Sequence, residues 1–304
     1  MELTSTDLIF GLMACAVAVW IGATLAKKQA STYQPSRDDT DLAASPANAG
    51  LPQVNHVDYG DMRFLHLGTP WVQGSMKISK PFDIHLEYVQ RMMGWLLFTD
   101  LDQVHHLRAM QLGLGAASLT KFCHLQLGMH TTAVELNPQV IATCRRWFSL
   151  PQDNANLHVL LADAAHIASQ DTWHGKIDVL QVDLYDQEAD RPALDSEAFY
   201  ADCRKLLTAQ GCMAVNLYGR HANLKNSIQT IAKVFGQDAL WAFKATTAGN
   251  TIVLAFRTPR HLDKSDLISQ AKLIQARWSL PTEKWPKTLA LVKDQGTSHK
   301  KILS

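Results

Sequence analysis

The sequence is poor in the features that would hold a metal or a redox centre. It contains no CxxC pair and no HxH or HExxH spacing, although thirteen histidines are present. Its five cysteines, Cys15, Cys123, Cys144, Cys203 and Cys212, are scattered, and four of them fall inside apolar periodic segments. They are expected to be reduced core residues of a cytosolic domain. His105 and His106 are adjacent, and neighbouring side chains on a strand point apart, so no metal is expected there. Charge of one sign is also missing. The net charge is +1, which gives no global field towards nucleic acid or a membrane surface, and no nucleic-acid partner is expected. A third glycine is absent from the turn after the first buried strand. The dinucleotide fingerprint requires it at position 118, where this chain has Ser118, and this argues against an NAD-binding domain. What remains is a globular composition, 47% apolar and 19% charged over 304 residues, enough to bury a sizeable core.

One long uncharged run is present. Leu8 to Ala26 is long enough to cross a bilayer as a helix, with Lys27 and Lys28 directly after it and only Glu2 and Asp7 before it. A cleaved signal peptide would carry positive charge ahead of the run. A transmembrane anchor within residues 1–28 is therefore expected, with the following chain on the cytoplasmic side of the membrane. The alternative is a helix that packs on a partner or on the domain itself. Residues 29–52 are rich in Ser, Ala, Asp, Asn and Pro without a hydrophobic period, and read as a disordered linker.

From Val54 to Ile78 the pattern is that of strands, 63–68 and 71–78, joined by a Gly-Thr-Pro turn. Residues 53–80 are expected to form a small β-hairpin domain. Ile84, Tyr88, Met92 and Trp95 then recur at helical spacing, which predicts a helix over 83–98. Beyond it, strand and helix alternate. The strands expected are 107–112, 131–136, 157–161, 177–182, 212–217, 240–246 and 251–256. Asn137 caps the second crossover helix with Pro138 in its first turn, and Gly211 is expected to stop the helix carrying Phe199, Cys203 and Leu206. The last two strands are too close for a crossover helix and must form a hairpin. The fold expected is α/β: a seven-stranded, mostly parallel, methyltransferase-like (Rossmann-like) sheet with a C-terminal antiparallel hairpin. It occupies residues 81–260, after the small antiparallel β-unit. Residues 261–304 read as a helical extension and tail, in which Trp278 and Trp285 cover the sheet.

The chemistry gathers at strand ends. Gly113 and Gly115 follow the first parallel strand, and Glu135 ends the second at the spacing of a nucleotide-binding βαβ unit. Such an acid can accept both hydroxyls of a ribose. Asp163 and Asp183 end the next two strands. Asp183 and Asp186, with Tyr185 between them, can face one pocket, where a carboxylate pair binds an ammonium group or takes a proton from an amine nucleophile.

These motifs resemble the spermidine synthase (polyamine aminopropyltransferase) family, within the AdoMet-dependent methyltransferase superfamily. The likeness runs from about Val54 to about Arg257. It is carried by Val72-Gln73, Tyr88, Gly113 and Gly115, Val134-Glu135-Leu136-Asn137, Asp163-Ala164, Asp183 with Asp186, Pro192-Ala193 and Phe199-Tyr200. The resemblance implies an aminopropyltransferase that uses decarboxylated S-adenosylmethionine and a polyamine such as putrescine, with no metal. It implies that Glu135 holds the ribose, Asp163 with Ala164 meets the adenine, Asp183 deprotonates the attacking amine and Asp186 binds the acceptor. Tyr185 joins Asp186 in binding the acceptor, and Gln73 and Tyr88 line the pocket, Gln73 against the co-substrate and Tyr88 as a catalytic residue. Homodimers built through the N-terminal hairpins are a further implication. The sequence departs from the family at Ala116, where the family turn has an Asp that holds the aminopropyl end of the donor. It departs again at Val89-Gln90 after Tyr88 and at Gln187 after Asp186. Each lost carboxylate removes a charge-assisted hydrogen bond worth on the order of 1.5–3 kcal/mol. Two other readings follow from the departures. One is a methyltransferase using intact S-adenosylmethionine on an unknown small acceptor, and the other is a degenerate nucleoside-binding homologue tethered to a membrane.

Overall fold

A computed structural model describes residues 50–185, 192–218 and 221–292 of the chain. The first unit is a three-stranded antiparallel sheet in the order β1 (Val54–Tyr59), β2 (Met62–Leu67), β3 (Val72–Lys77). Two of these are the expected strands, with Gly68 at a positive φ in the turn between them. β1 is the addition.

A short helix α1 (Glu87–Arg91) and a 3-10 turn (Gly94–Phe98) follow. The single helix expected over 83–98 is thus divided in two. The reason lies in packing: a Cβ on Gly94 would sit 2.6 Å from the Phe243 ring, so the chain tightens there and lays bare backbone against the sheet.

The large sheet has eight strands in the order β11-β9-β10-β8-β7-β4-β5-β6. The parallel part is β4 (Arg108–Leu112), β5 (His130–Glu135), β6 (Leu157–Leu161), β7 (Ile177–Val182) and β8 (Leu207–Tyr218). β9 (Leu240–Phe243) and β10 (Asn250–Phe256) are the expected hairpin, and β10 lies antiparallel between β9 and β8. An eighth strand, β11 (Leu289–Leu291), pairs with β9. Three residues are too few to show a period of two, so the segment reads as tail in the sequence. The crossover helices are α2 (Ser118–Lys121, continued by a π-turn to Gln126), α3 (Pro138–Trp147), α4 (Ala164–Ala168) and α5 (Glu197–Leu206). α6 (His221–Phe235) and α7 (Lys264–Trp278) complete the set. Asn137 caps α3 through its Oδ1, which accepts the Gln139 N–H at 3.0 Å. Gly211 does not stop α5. That helix ends at Leu206, and Gly211 lies inside β8 where a Cβ would meet the Ile177 carbonyl of β7 at 2.9 Å.

Both faces of the sheet are buried, as a parallel sheet under helices requires. β10 shows this residue by residue: Ile252, Leu254 and Phe256 join the layer containing Trp95, Phe243 and Trp285, while Val253 and Ala255 join the layer with Tyr200 and Phe235. A third cluster, with Leu65, Met76, Leu114, Ala116 and Phe148, docks the small sheet on the turn after β4. Cys123, Cys144, Cys203 and Cys212 are buried free thiols; Cys15 lies outside the described residues. His105 and His106 are on a 3-10 turn rather than a strand, and their rings approach to 3.8 Å instead of pointing apart.

The transmembrane expectation is corrected. Among the described residues no helix is long and apolar enough to cross a membrane. The run from Leu8 to Ala26 that prompted it lies outside those residues.

Candidate active site

The site begins where β4 ends. Gly113 has φ 87° and Gly115 φ 51°, values that cost a side chain dearly. At Gly113 a Cβ would stand 2.3 Å from the Asp183 carbonyl oxygen, so the turn after β4 and the end of β7 touch through bare backbone. Ala117 is left-handed as well, at φ 57°. This costs a non-glycine residue of order 1 kcal/mol and starts α2 with its N–H groups facing the turn.

Glu135, the last residue of β5, braces this turn. Its Oε2 accepts the Leu114 N–H at 3.0 Å and its Oε1 accepts the Asn137 N–H at 2.8 Å. Burial raises the carboxyl pKa, and these backbone donors pull it back. Each carboxylate oxygen keeps a second lone pair. Next to it Leu136 is 53% exposed, and Leu161 at the end of β6 is 57% exposed. Two large apolar side chains thus stand open at the carboxyl edge of the sheet. Asp163 follows Leu161 and Ala162. It is exposed, and its Oδ1 caps α4 by accepting the His166 N–H at 2.9 Å. Ala164 is buried in the first turn of that helix.

Asp183 is the first residue beyond β7, and its N–H donates to the Leu112 carbonyl at 3.0 Å. Its Oδ1 accepts the Asn216 Nδ2–H at 2.9 Å, and the Tyr88 hydroxyl, brought by α1, is bonded to the same carboxylate. Burial raises the Asp183 pKa, while Asn216 and Tyr88 work against the rise. Tyr88 is itself held well above the ordinary phenol range, by burial first and by the Asp183 charge second, so it stays a donor.

Gln73 and Ser75 from β3, Tyr88 from α1, Gly115 and Ala116 from the turn, and Asp183 line one cleft. Ala116 is 4% exposed, and a Cβ on Gly74 would meet the Ala116 Cβ at 2.7 Å. Of the residues expected at a site, the structure brings Gln73, Tyr88, Gly115 and Asp183 into this cleft. Gly113 touches Asp183, and Glu135 reaches the turn through Leu114. Asp163 and Ala164 sit further along the same sheet edge. Tyr185 is not among the lining residues: its hydroxyl donates to the Asn216 carbonyl at 3.0 Å and accepts the Tyr218 N–H at 2.6 Å. Asp186 lies outside the described residues. Asn216 escaped the sequence reading. Its signal was there, a lone amide near the end of the apolar run Met213-Ala214-Val215.

Comparison with known proteins decides the family. The chain is 35% identical over 214 residues to a polyamine aminopropyltransferase of Neisseria meningitidis serogroup A, covering 70% of this chain and 79% of that protein. It is 31% identical over 256 residues to a polyamine aminopropyltransferase of Chromobacterium violaceum, covering 84% and 95%. The chain belongs to the polyamine aminopropyltransferase family. It is accordingly a transferase. No protein-family model matches it. Two solved structures share the fold of this family member. One is a probable spermidine synthase from Corynebacterium glutamicum, with TM-score 0.60, 19% identity and coverage of 82% and 95%. The other is human methyltransferase-like protein 13 in complex with SAH, with TM-score 0.58, 21% identity and coverage of 72% and 98%.

Proposed function

We propose that the chain transfers the aminopropyl group of decarboxylated S-adenosylmethionine to a diamine such as putrescine. The observation that carries this reading is Asp183, a half-buried carboxylate in one cleft with the glycine turn, hydrogen-bonded by Tyr88 and Asn216. Family membership supports aminopropyl transfer. The SAH in the fold neighbour supports a ligand of the adenosylmethionine type.

In this reading residues 81–260 are the catalytic domain, residues 53–80 a small domain that closes one wall of its cleft, and residues 261–304 an extension. Glu135 takes the ribose hydroxyls on its free lone pairs. Leu136 and Leu161 offer apolar faces to the adenine, and Asp163 with Ala164 meets its amine. Gly113 and Gly115 let the backbone approach the sulfonium end. Gln73 and Tyr88 line the path of the aminopropyl chain. Asp183 takes a proton from the acceptor, because an ammonium has no lone pair with which to attack. The neutral nitrogen attacks the methylene next to the sulfonium. A C–N bond forms as the C–S bond breaks, its electron pair returns to sulfur as a neutral thioether, the product leaves as a secondary ammonium, and Asp183 returns its proton to solvent. Positioning supplies most of the rate. Asp186 is the acceptor's second carboxylate. The Tyr185 hydroxyl, already committed to backbone, braces the loop.

Ala116 favours a second reading, methyl transfer from intact S-adenosylmethionine. Without a carboxylate at that position the turn repels the amino-acid carboxylate of the intact donor less. One experiment separates the two: the chain is incubated with putrescine and each donor, and products are read by mass spectrometry. Aminopropylated diamine with methylthioadenosine supports the first reading. Methylated product from the intact donor alone, or no product from either, rejects it.

A further inference from the structure

Asn216 sits in β8 and is 4% exposed, in a run whose neighbours are apolar. A buried amide in such a place costs stability unless each of its polar atoms is bonded. Here each is. Nδ2 donates to Asp183 Oδ1 at 2.9 Å, and Oδ1 accepts Asn250 Nδ2–H from β10 at 3.1 Å. Asn250 is anchored in turn by Thr246: its N–H donates to Thr246 Oγ1 at 3.0 Å, and the Thr246 hydroxyl faces Asn250 Oδ1 at 3.5 Å. The main-chain carbonyl of Asn216 is held by the Tyr185 hydroxyl. Polarity runs one way along this chain. A hydroxyl given to Asn250 Oδ1 leaves Nδ2 for Asn216 Oδ1, and that leaves the Asn216 Nδ2 for the carboxylate. None of Asn216, Asn250 and Thr246 lines the cleft, so whatever they contribute passes through Asp183.

We propose that Asn216 is a positioning residue for Asp183, and that Asn250 and Thr246 fix which end of its amide meets the carboxylate. The proposal rests on the reading of Asp183 as the base. The relay pins one oxygen of the carboxylate from outside the cleft and stabilises the ionised form that accepts the proton, while Tyr88 bonds the same carboxylate within the cleft. The titratable groups facing Asp183 are Tyr88 from α1 and Tyr185 from its own loop. The turn after β4 and strand β8 bring Gly113 and Asn216, which carry no charge.

The test uses the full chain with decarboxylated S-adenosylmethionine and putrescine, and reads kcat and KM across pH for wild type, Asn216→Leu, Asn216→Asp and Asn250→Ser. Losing the amide donor raises the pKa of the base. The acidic limb of kcat/KM in Asn216→Leu is expected to move up by about one pH unit. Its kcat falls about tenfold or more, while the KM for putrescine changes less than about threefold. Asn216→Asp, which sets a second carboxylate against the first, loses more. Asn250→Ser does not touch Asp183 and is expected to move the limb in the same direction by less. Calorimetric affinity for methylthioadenosine stays within about twofold throughout, which a general loosening of the site would not allow. An unmoved limb in the Asn216 and Asn250 variants overturns the proposal, and if Asn216→Leu fails to fold, Asn250→Ser decides. If wild type transfers nothing, the proposed function falls instead. The relay is then judged by the Asp183 carboxyl titration in carbon-13 NMR, where an equal pKa in wild type and Asn250→Ser overturns it.

Discussion

Glu135 accepts the Leu114 N–H at 3.0 Å, so the acid at the end of β5 holds the turn that begins at Gly113. With Asn137 on its other oxygen, the carboxylate ties two strand ends together before any ligand arrives. Glu135→Gln keeps the shape and turns one of the two acceptors into a donor facing an N–H. One backbone group then loses its partner, at about 1–3 kcal/mol. The expected outcome is a fall in unfolding free energy of that order in urea, together with a loss of about tenfold or more in calorimetric affinity for methylthioadenosine. Unchanged affinity would remove Glu135 as the ribose ligand.

Asp183→Asn removes the proposed base and keeps the hydrogen bond from Asn216 through the new amide oxygen. Turnover is expected to fall by about a thousandfold or more, while methylthioadenosine still binds within about twofold. The pH dependence follows from burial, which raises the carboxyl pKa. The charged form is the active one, so wild-type kcat/KM falls as pH drops through a value above the ordinary aspartate pKa. For stability the sign is the reverse. A carboxyl whose folded pKa is raised favours the folded state below the unfolded pKa, and that advantage is lost as pH rises through the folded one. Asp183→Asn is therefore expected to melt at or above wild type at neutral pH, with the gap closing on acidification. Melting curves at both ends of that range check it, and a variant less stable only at neutral pH would contradict the argument.

How far a reader of the sequence can go depends on the range of the interaction. β4 to β7 are apolar runs bounded by turns, and Asn137-Pro138 announces its helix locally, so these were legible to within a residue or two. The acids Glu135, Asp163 and Asp183 were legible because strand ends are. What failed was set by distant packing. The helix over 83–98 breaks because Gly94 meets Phe243. Gly211 enters β8 because the strand passes close to the Ile177 carbonyl. Asn216 acquires its role from Asn250 across the β8–β10 ladder, and no local period carries a cross-strand partner. Tyr185 stands beside two acids in the sequence, and only the fold shows that its hydroxyl bonds to the Asn216 carbonyl.

Gly113 offers a stability test with a built-in control. Gly113→Ala meets both a positive φ and the Asp183 carbonyl at 2.3 Å, and backbone cannot give way there without parting β4 from β7. The expected cost is about 3 kcal/mol or more. Gly175→Ala also has a positive φ, 67°, but open space around the new methyl, so it should cost only about 1 kcal/mol. Denaturant midpoints for the pair separate close approach from backbone conformation. Equal losses would mean that the contact with Asp183 gives way easily.

Ala116→Asp tests how the cleft chooses its donor. The alanine lies between the glycine turn and Gly74 of β3, in a cleft where Asp183 is the acid among the lining residues. A carboxylate there adds a charge-assisted bond to the ammonium of the aminopropyl chain and repels the carboxylate that intact S-adenosylmethionine carries beside its own amine. One such interaction is worth on the order of 1.5–3 kcal/mol, or roughly a tenfold to hundredfold change in affinity. Under the proposed function, calorimetry should show that Ala116→Asp favours the decarboxylated donor by about that factor over wild type. Ala116 already fills the space beside Gly74 of β3, so the longer side chain must turn into the cleft, and a circular dichroism spectrum matching wild type accompanies the titration. If the preference does not move, the aminopropyl end of the donor does not pass Ala116, and the path of that chain must be sought nearer Gln73.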